Sequence, residues 1–181
     1  MSEHIRRVLF TLVRPAAAFI VLTIIFGATL RADSQKLLFA QRDEVKAFDV
    51  TTGAGYQVGT TSGLVEGTSY VNFKLVITGG PGPDGGLPVS FNNKVIITDI
   101  DGDQLFFDNN GTGVFHVGIP GDTFAGVGGP QTGTYTLTGG TGKFATWTVG
   151  ATYEYRAVMT NPPNGALGNV FAEVTYQGKK P

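Results

Sequence analysis

Two acidic residues and an arginine near the C-terminal end are the first candidates for chemistry. If "KFATWTVGATYEYRAV" (residues 143 to 158) is one strand, two-residue alternation sets Phe144, Thr152, Glu154 and Arg156 on one face. Trp147, Tyr153, Tyr155 and Ala157 then fall on the other. Glu154, joined by Glu173 on the next β-rich run, is a candidate catalytic acid or base, because burial in a lined cavity raises a carboxyl pKa toward the working range. Arg156, Phe144 and Trp147 join Glu154 as candidate ligand-binding residues. The plainer alternative makes the polar face the wet outside of a sheet, with Glu154 and Arg156 an ordinary surface pair and the tyrosines packed inside. The sequence leaves both open.

Three further patterns carry a chemical suggestion and fail on spacing. "TGGTGKF" resembles a phosphate-binding loop, but Gx4GK[ST] needs glycine where Leu137 stands and a hydroxyl where Phe144 follows Lys143. No helix pattern follows to present its N-terminus to a phosphate. The glycines therefore predict a tight turn, with Lys143 in solvent. "DIDGDQLFFD" gathers Asp99, Asp101, Asp103 and Asp108, yet a calcium loop begun at Asp99 requires glycine and glutamate where Gln104 and Asn110 stand. Asp-Gly between hydrophobic runs predicts a two-residue hairpin turn instead. His116 is the one histidine outside the leader, too little for a histidine-rich metal site. No metal is expected from these patterns.

Residues 1 to 32 have the order of a signal peptide: Arg6, Arg7 and Arg14 precede the uncharged "AAAFIVLTIIFGATL", and Ala32 offers a small-residue exit. The apolar run falls short of the roughly 20 residues that span a bilayer comfortably, so cleavage is preferred over retention as an anchor. The expected location is secreted or periplasmic, with no stable membrane insertion after the leader is removed. Residues 33 to 181 then form one domain, holding nine basic against thirteen acidic residues. No basic run exists there beyond Lys179 and Lys180, so nucleic acid is not an expected partner. The absence of cysteine removes disulfides and thiolate zinc sites.

The elements that must position these residues are short β-rich runs separated by glycine and proline. "LVEGTSYVNFKLVIT", "LPVSFNNKVIITDI", "QLFFDNNGTGVFHV", "GTYTLTGG", "KFATWTVGATYEYRAVM" and "LGNVFAEVTYQG" read as strands, and "LLFAQRDEVKAFDV" is ambiguous. "TGGPGPDGG", "GIPGDTFAGVGGPQTG" and "TNPPNGALG" read as loops. An all-β chain hides its sheet edges by closing, and Gly67 and Gly150 suit the bends a small barrel needs. "YTLTGGTGKF", preceded by "DGDQLFFDNNGTGVF", resembles the allene oxide cyclase and dirigent-like barrel superfamily over roughly Leu64 to Gly178. The resemblance implies a closed antiparallel β-barrel of about eight strands around a cavity, often trimeric, acting without cofactor.

Two functions are left to weigh, since fold alone does not choose. One is an exported barrel that binds a small apolar molecule in its cavity or at its rim, or serves as a non-enzymatic module. The other is a cofactor-free isomerase or cyclase that steers a reactive substrate with a cavity carboxylate. Trp147 and Val149 depart from the F-x-x-A-x-G pattern usual after the glycines, and Gly150 comes one place late, implying a differently filled cavity.

Overall fold

The computed structural model describes residues 35–49, 51–83, 85–115, 129–160 and 168–181. The proposed leader, His116 and most of the two later loops lie outside them. The described residues form an all-β fold: β1 (Lys36–Asp49), β2 (Ala54–Gly63), β3 (Gly67–Ile77), β4 (Leu87–Asp99), β5 (Gln104–Phe115), β6 (Gly129–Gly140), β7 (Thr152–Thr160) and β8 (Asn169–Tyr176). Each strand pairs antiparallel with the next, and β8 pairs with β1 to close an eight-stranded barrel. Closure leaves no edge of unpaired backbone groups.

Alternation sorts the side chains cleanly. On β4, Val89, Phe91, Val95 and Ile97 point inward and are buried, and on β5 so are Leu105 and Phe107. The central aromatic cluster joins four strands: the Phe107 ring lies 6.1 Å from Phe39, 5.5 Å from Tyr135 and 6.0 Å from Tyr153. A bulge between Leu37 and Phe39 turns both Leu38 and Phe39 into the core, which strict alternation forbids.

Strand β2 has little hydrophobic signal, because its inward positions are Gly55, Gln57, Gly59, Thr61 and Gly63. The space is filled from the neighbouring strand. A Cβ on Gly55 would lie 2.4 Å from the ring of Phe73, its partner in register, and one on Gly111 would lie 2.6 Å from the ring of Phe91, its own partner. Glycine and aromatic residues therefore pack as complementary pairs.

Three local expectations need correction. The run after "TGG" is not one strand: a 3-10 turn, Gly142–Phe144, and further turns occupy it until β7 begins at Thr152. Phe144 and Trp147 consequently do not share a strand face with Glu154 and Arg156. The Asp-Gly hairpin between β4 and β5 has a three-residue loop, Ile100 to Gly102, not two. Asp99 N–H donates to Asp103 and Gly102 N–H to Asp99, with Gly102 at φ 88°. Finally, Gly129 to Gly133 belong to β6, although their glycine and proline content reads as loop.

Candidate functional site

The structure places Glu154, Arg156 and Glu173 on the outer wall, exposed, while Tyr153, Tyr155 and Ala157 face inward and are buried. The polar face is the outer one, as in the plainer sequence reading, and neither glutamate faces the barrel interior, although among the described residues Glu154 and Arg156 form no ion pair. Phe144 is buried at the end of the barrel with its ring 5.2 Å from Trp147, a packing pair apart from the β7 wall.

Register brings Arg156 and Glu173 into a two-row patch across five strands. One row runs Pro130, Val158, Phe171, Arg42, Thr60, and the adjoining row runs Thr132, Arg156, Glu173, Ala40, Ser62. Together they line a trough of about 670 Å³ on the outer wall. Phe171 and Val158 remain 41% and 45% exposed at its floor. The Arg42 guanidinium lies over the Phe171 ring, 5.4 Å from its centroid. Arg156 and Glu173 are directly opposed in the ladder, yet they are not within ion-pair distance, and among the described residues neither arginine is matched to a carboxylate. Glu154 belongs to a smaller hollow of about 260 Å³ with Tyr153 and Tyr176, where Gln35 donates a hydrogen bond to it.

The carboxyl group inside the barrel is one the sequence reading did not select. Asp43, 1% exposed, accepts hydrogen bonds from Ser69 and Gln41, with Gln57 adding a third. Ser69 reaches it across Gly59, which stands between them in register. A Cβ on Gly59 would lie 2.3 Å from Asp43 Oδ1, so glycine there is what lets the two meet. Tyr135 donates to Gln41 over 2.8 Å and Tyr155 to Gln131 over 3.2 Å, with the Asn109 amide bonded to both hydroxyls. Desolvation holds the Asp43 pKa above the usual carboxylate range despite these bonds, and it pushes both tyrosines up as well. Thr61 Oγ1, Asn93 Oδ1 and Asn109 Oδ1 are buried without a hydrogen-bond partner among the described residues. The signal available in advance was parity: Asp43 alternates with Phe39, Gln41 and Val45 on the buried side of β1.

Lys143 is not a free solvent group. Its ammonium pairs with Asp99, whose side chain is 3% exposed, and with Asp101 at 2.8 Å. Its backbone N–H donates to Asp103 over 3.0 Å. Asp99 also accepts the N–H groups of Asp101 and Asp103, each over 2.9 Å. The glycine corner thus wraps carboxylates from the β4–β5 hairpin, in the place a nucleotide loop would give to phosphate. The hydrogen bond that Lys143 donates to Asp99 lowers the Asp99 pKa, while its bonds to Asp101 and Asp99 raise that of Lys143.

No protein family matches the chain, and neither do curated proteins or solved structures.

Proposed function

We propose that the protein is an exported, non-enzymatic β-barrel that binds a small, largely apolar molecule, and that the outer-wall trough is where it binds. The observation that carries this reading is the trough itself: its volume of about 670 Å³ lies in the range of small-molecule sites, and two large apolar side chains stay exposed on its floor. The arginine-laden leader and the apolar run behind it support export. The isomerase alternative would have to act through Asp43, because Glu154 and Glu173 face outward. Asp43 already receives its hydrogen bonds from Ser69, Gln41 and Gln57.

Phenylnaphthylamine, a neutral apolar dye that brightens on leaving water, tests the reading. It should bind saturably, and Phe171→Ala with Val158→Ala should weaken it roughly tenfold, the effect of losing about 1.4 kcal/mol of apolar contact. Saturable binding that the double variant leaves intact would sink the trough as the site.

A further inference from the structure

We propose that the trough selects an anion: a carboxylate, sulfonate or phosphate-ester head carried on an apolar body. This rests on the trough being a binding site and adds what it recognises. Arg42 and Arg156 lie two strands and two residues apart. With strands spaced about 4.8 Å and residues about 3.4 Å, their Cα atoms are separated by about 12 Å across the sheet. Two arginine side chains leaning toward each other across the outer wall can close that distance on a single head. The guanidinium fork matches such oxyanion groups, and both forks keep their charge unmatched among the described residues. The cation–π contact with Phe171 holds the Arg42 guanidinium over the ring without using its N–H donors.

Glu173 is the one carboxylate in the patch, so the grid holds two positive charges against one negative. It stands opposite Arg156 without pairing to it, leaving that guanidinium available. Phe171, Val158 and Pro130 form the apolar end of the row that holds Arg42, where the body of the ligand would lie. Exclusion of neutral molecules is not required; the arginines set a preference.

The test uses two dyes of one scaffold, neutral phenylnaphthylamine and its sulfonated counterpart anilinonaphthalenesulfonate, on the full mature chain. Arg42→Gln and Arg156→Gln together should weaken the sulfonate at least tenfold, or about 1.4 kcal/mol, since both charge-assisted contacts are lost. Phenylnaphthylamine should change less than about threefold in the same variant, because its contacts are apolar. Glu173→Gln should tighten the sulfonate alone, and added salt should weaken it alone. Equal response of the two dyes, with both still bound, overturns the anion preference and leaves the trough reading standing. Binding of neither dye overturns both. A dimer or trimer that the arginine substitutions dissociate would also overturn the proposal, by assigning the face to a second copy of the chain. All three positions are exposed, so their folding is checked directly by an unchanged denaturation midpoint.

Discussion

Replacing Gly142 by alanine should be the most damaging of three similar substitutions, and the structure says by how much. Gly102, Gly142 and Gly150 all have positive φ, at 88°, 50° and 87°. An alanine pays the same kind of conformational cost at each, about 1 kcal/mol. At Gly102 and Gly150 nothing lies within 4 Å of the added Cβ, so that is the whole effect. At Gly142 the Cβ would fall 1.7 Å from Asp103 Oδ1. The carboxylate must move, and its bond from the Lys143 N–H goes with it. A charge-assisted bond contributes about 1.5 to 3 kcal/mol, and the lower end applies in a solvent-facing loop. The expected totals are about 1 kcal/mol for Gly102→Ala and Gly150→Ala, against about 2.5 for Gly142→Ala. With a urea m-value of about 2 kcal/mol/M, the midpoints fall by about 0.5 M and about 1.2 M. If Gly142→Ala matched the other two, the carboxylate under the glycine corner would not be the reason for its glycine.

Other expectations follow from the same contacts. Lys143→Ala should lower the urea midpoint at neutral pH. The Asp99 pKa is depressed in the folded state, so its contribution is present above the unfolded value of 3.8 and lost as pH falls through the lower folded value. Wild type and variant should therefore converge in acid; a gap that is constant with pH would refute the ion pair's part. Asp43 behaves oppositely. Its raised pKa means the folded state holds the proton more tightly, so this group favours folding more as pH falls from the folded value toward 3.8. Stability measured against pH should shift toward wild type relative to Asp43→Asn on acidification, and a parallel pair of curves would contradict the burial argument. Phe107→Ala should cost about 3 to 5 kcal/mol by calorimetry, as its ring contacts Phe39, Tyr135 and Tyr153. A loss under 1 kcal/mol would mean those rings close the gap. Intact mass of protein from the host envelope should place the N-terminus near Asp33, and a chain retaining residues 1 to 32 would refute leader cleavage.

Strands with an apolar inner face were legible: β3, β4, β5 and β8 are where alternation of Val, Ile, Phe and Leu puts them. β2 was not, because its inner face is glycine and polar and the matching aromatic rings belong to β3. Alternation detects filled positions, and here the filling comes from another strand. The turn at residues 142 to 151 was misread for the opposite reason: Phe144, Trp147 and Val149 look like strand residues, yet the 3-10 turn uses Phe144 to plug the barrel end. Of the selected site residues, Arg156 and Glu173 line the trough, with Phe171 two residues before Glu173 on the same face of β8, but Arg42 could not be joined to them from local sequence. It meets them only because the barrel closes. Asp43 hid in a charged run, "QRDEVK", whose alternate members face opposite sides of the wall.

Closure of β1 on β8 also has a consequence for the life of the chain before it is folded. The seam pairs Gln41 with Ala172 and Lys36 with Tyr176, so the first and last strands must find each other across nearly the whole length. Every other strand pairs with its immediate neighbour and can form early as a hairpin. A growing chain that has not yet released Tyr176 lacks one wall of the barrel, and Asp43, Phe39 and Leu38 have no partner strand on that side. Closure is therefore the last pairing to form, and until β8 is available the earlier hairpins make an open sheet. A stop codon anywhere before β8 leaves an open sheet with two sticky borders.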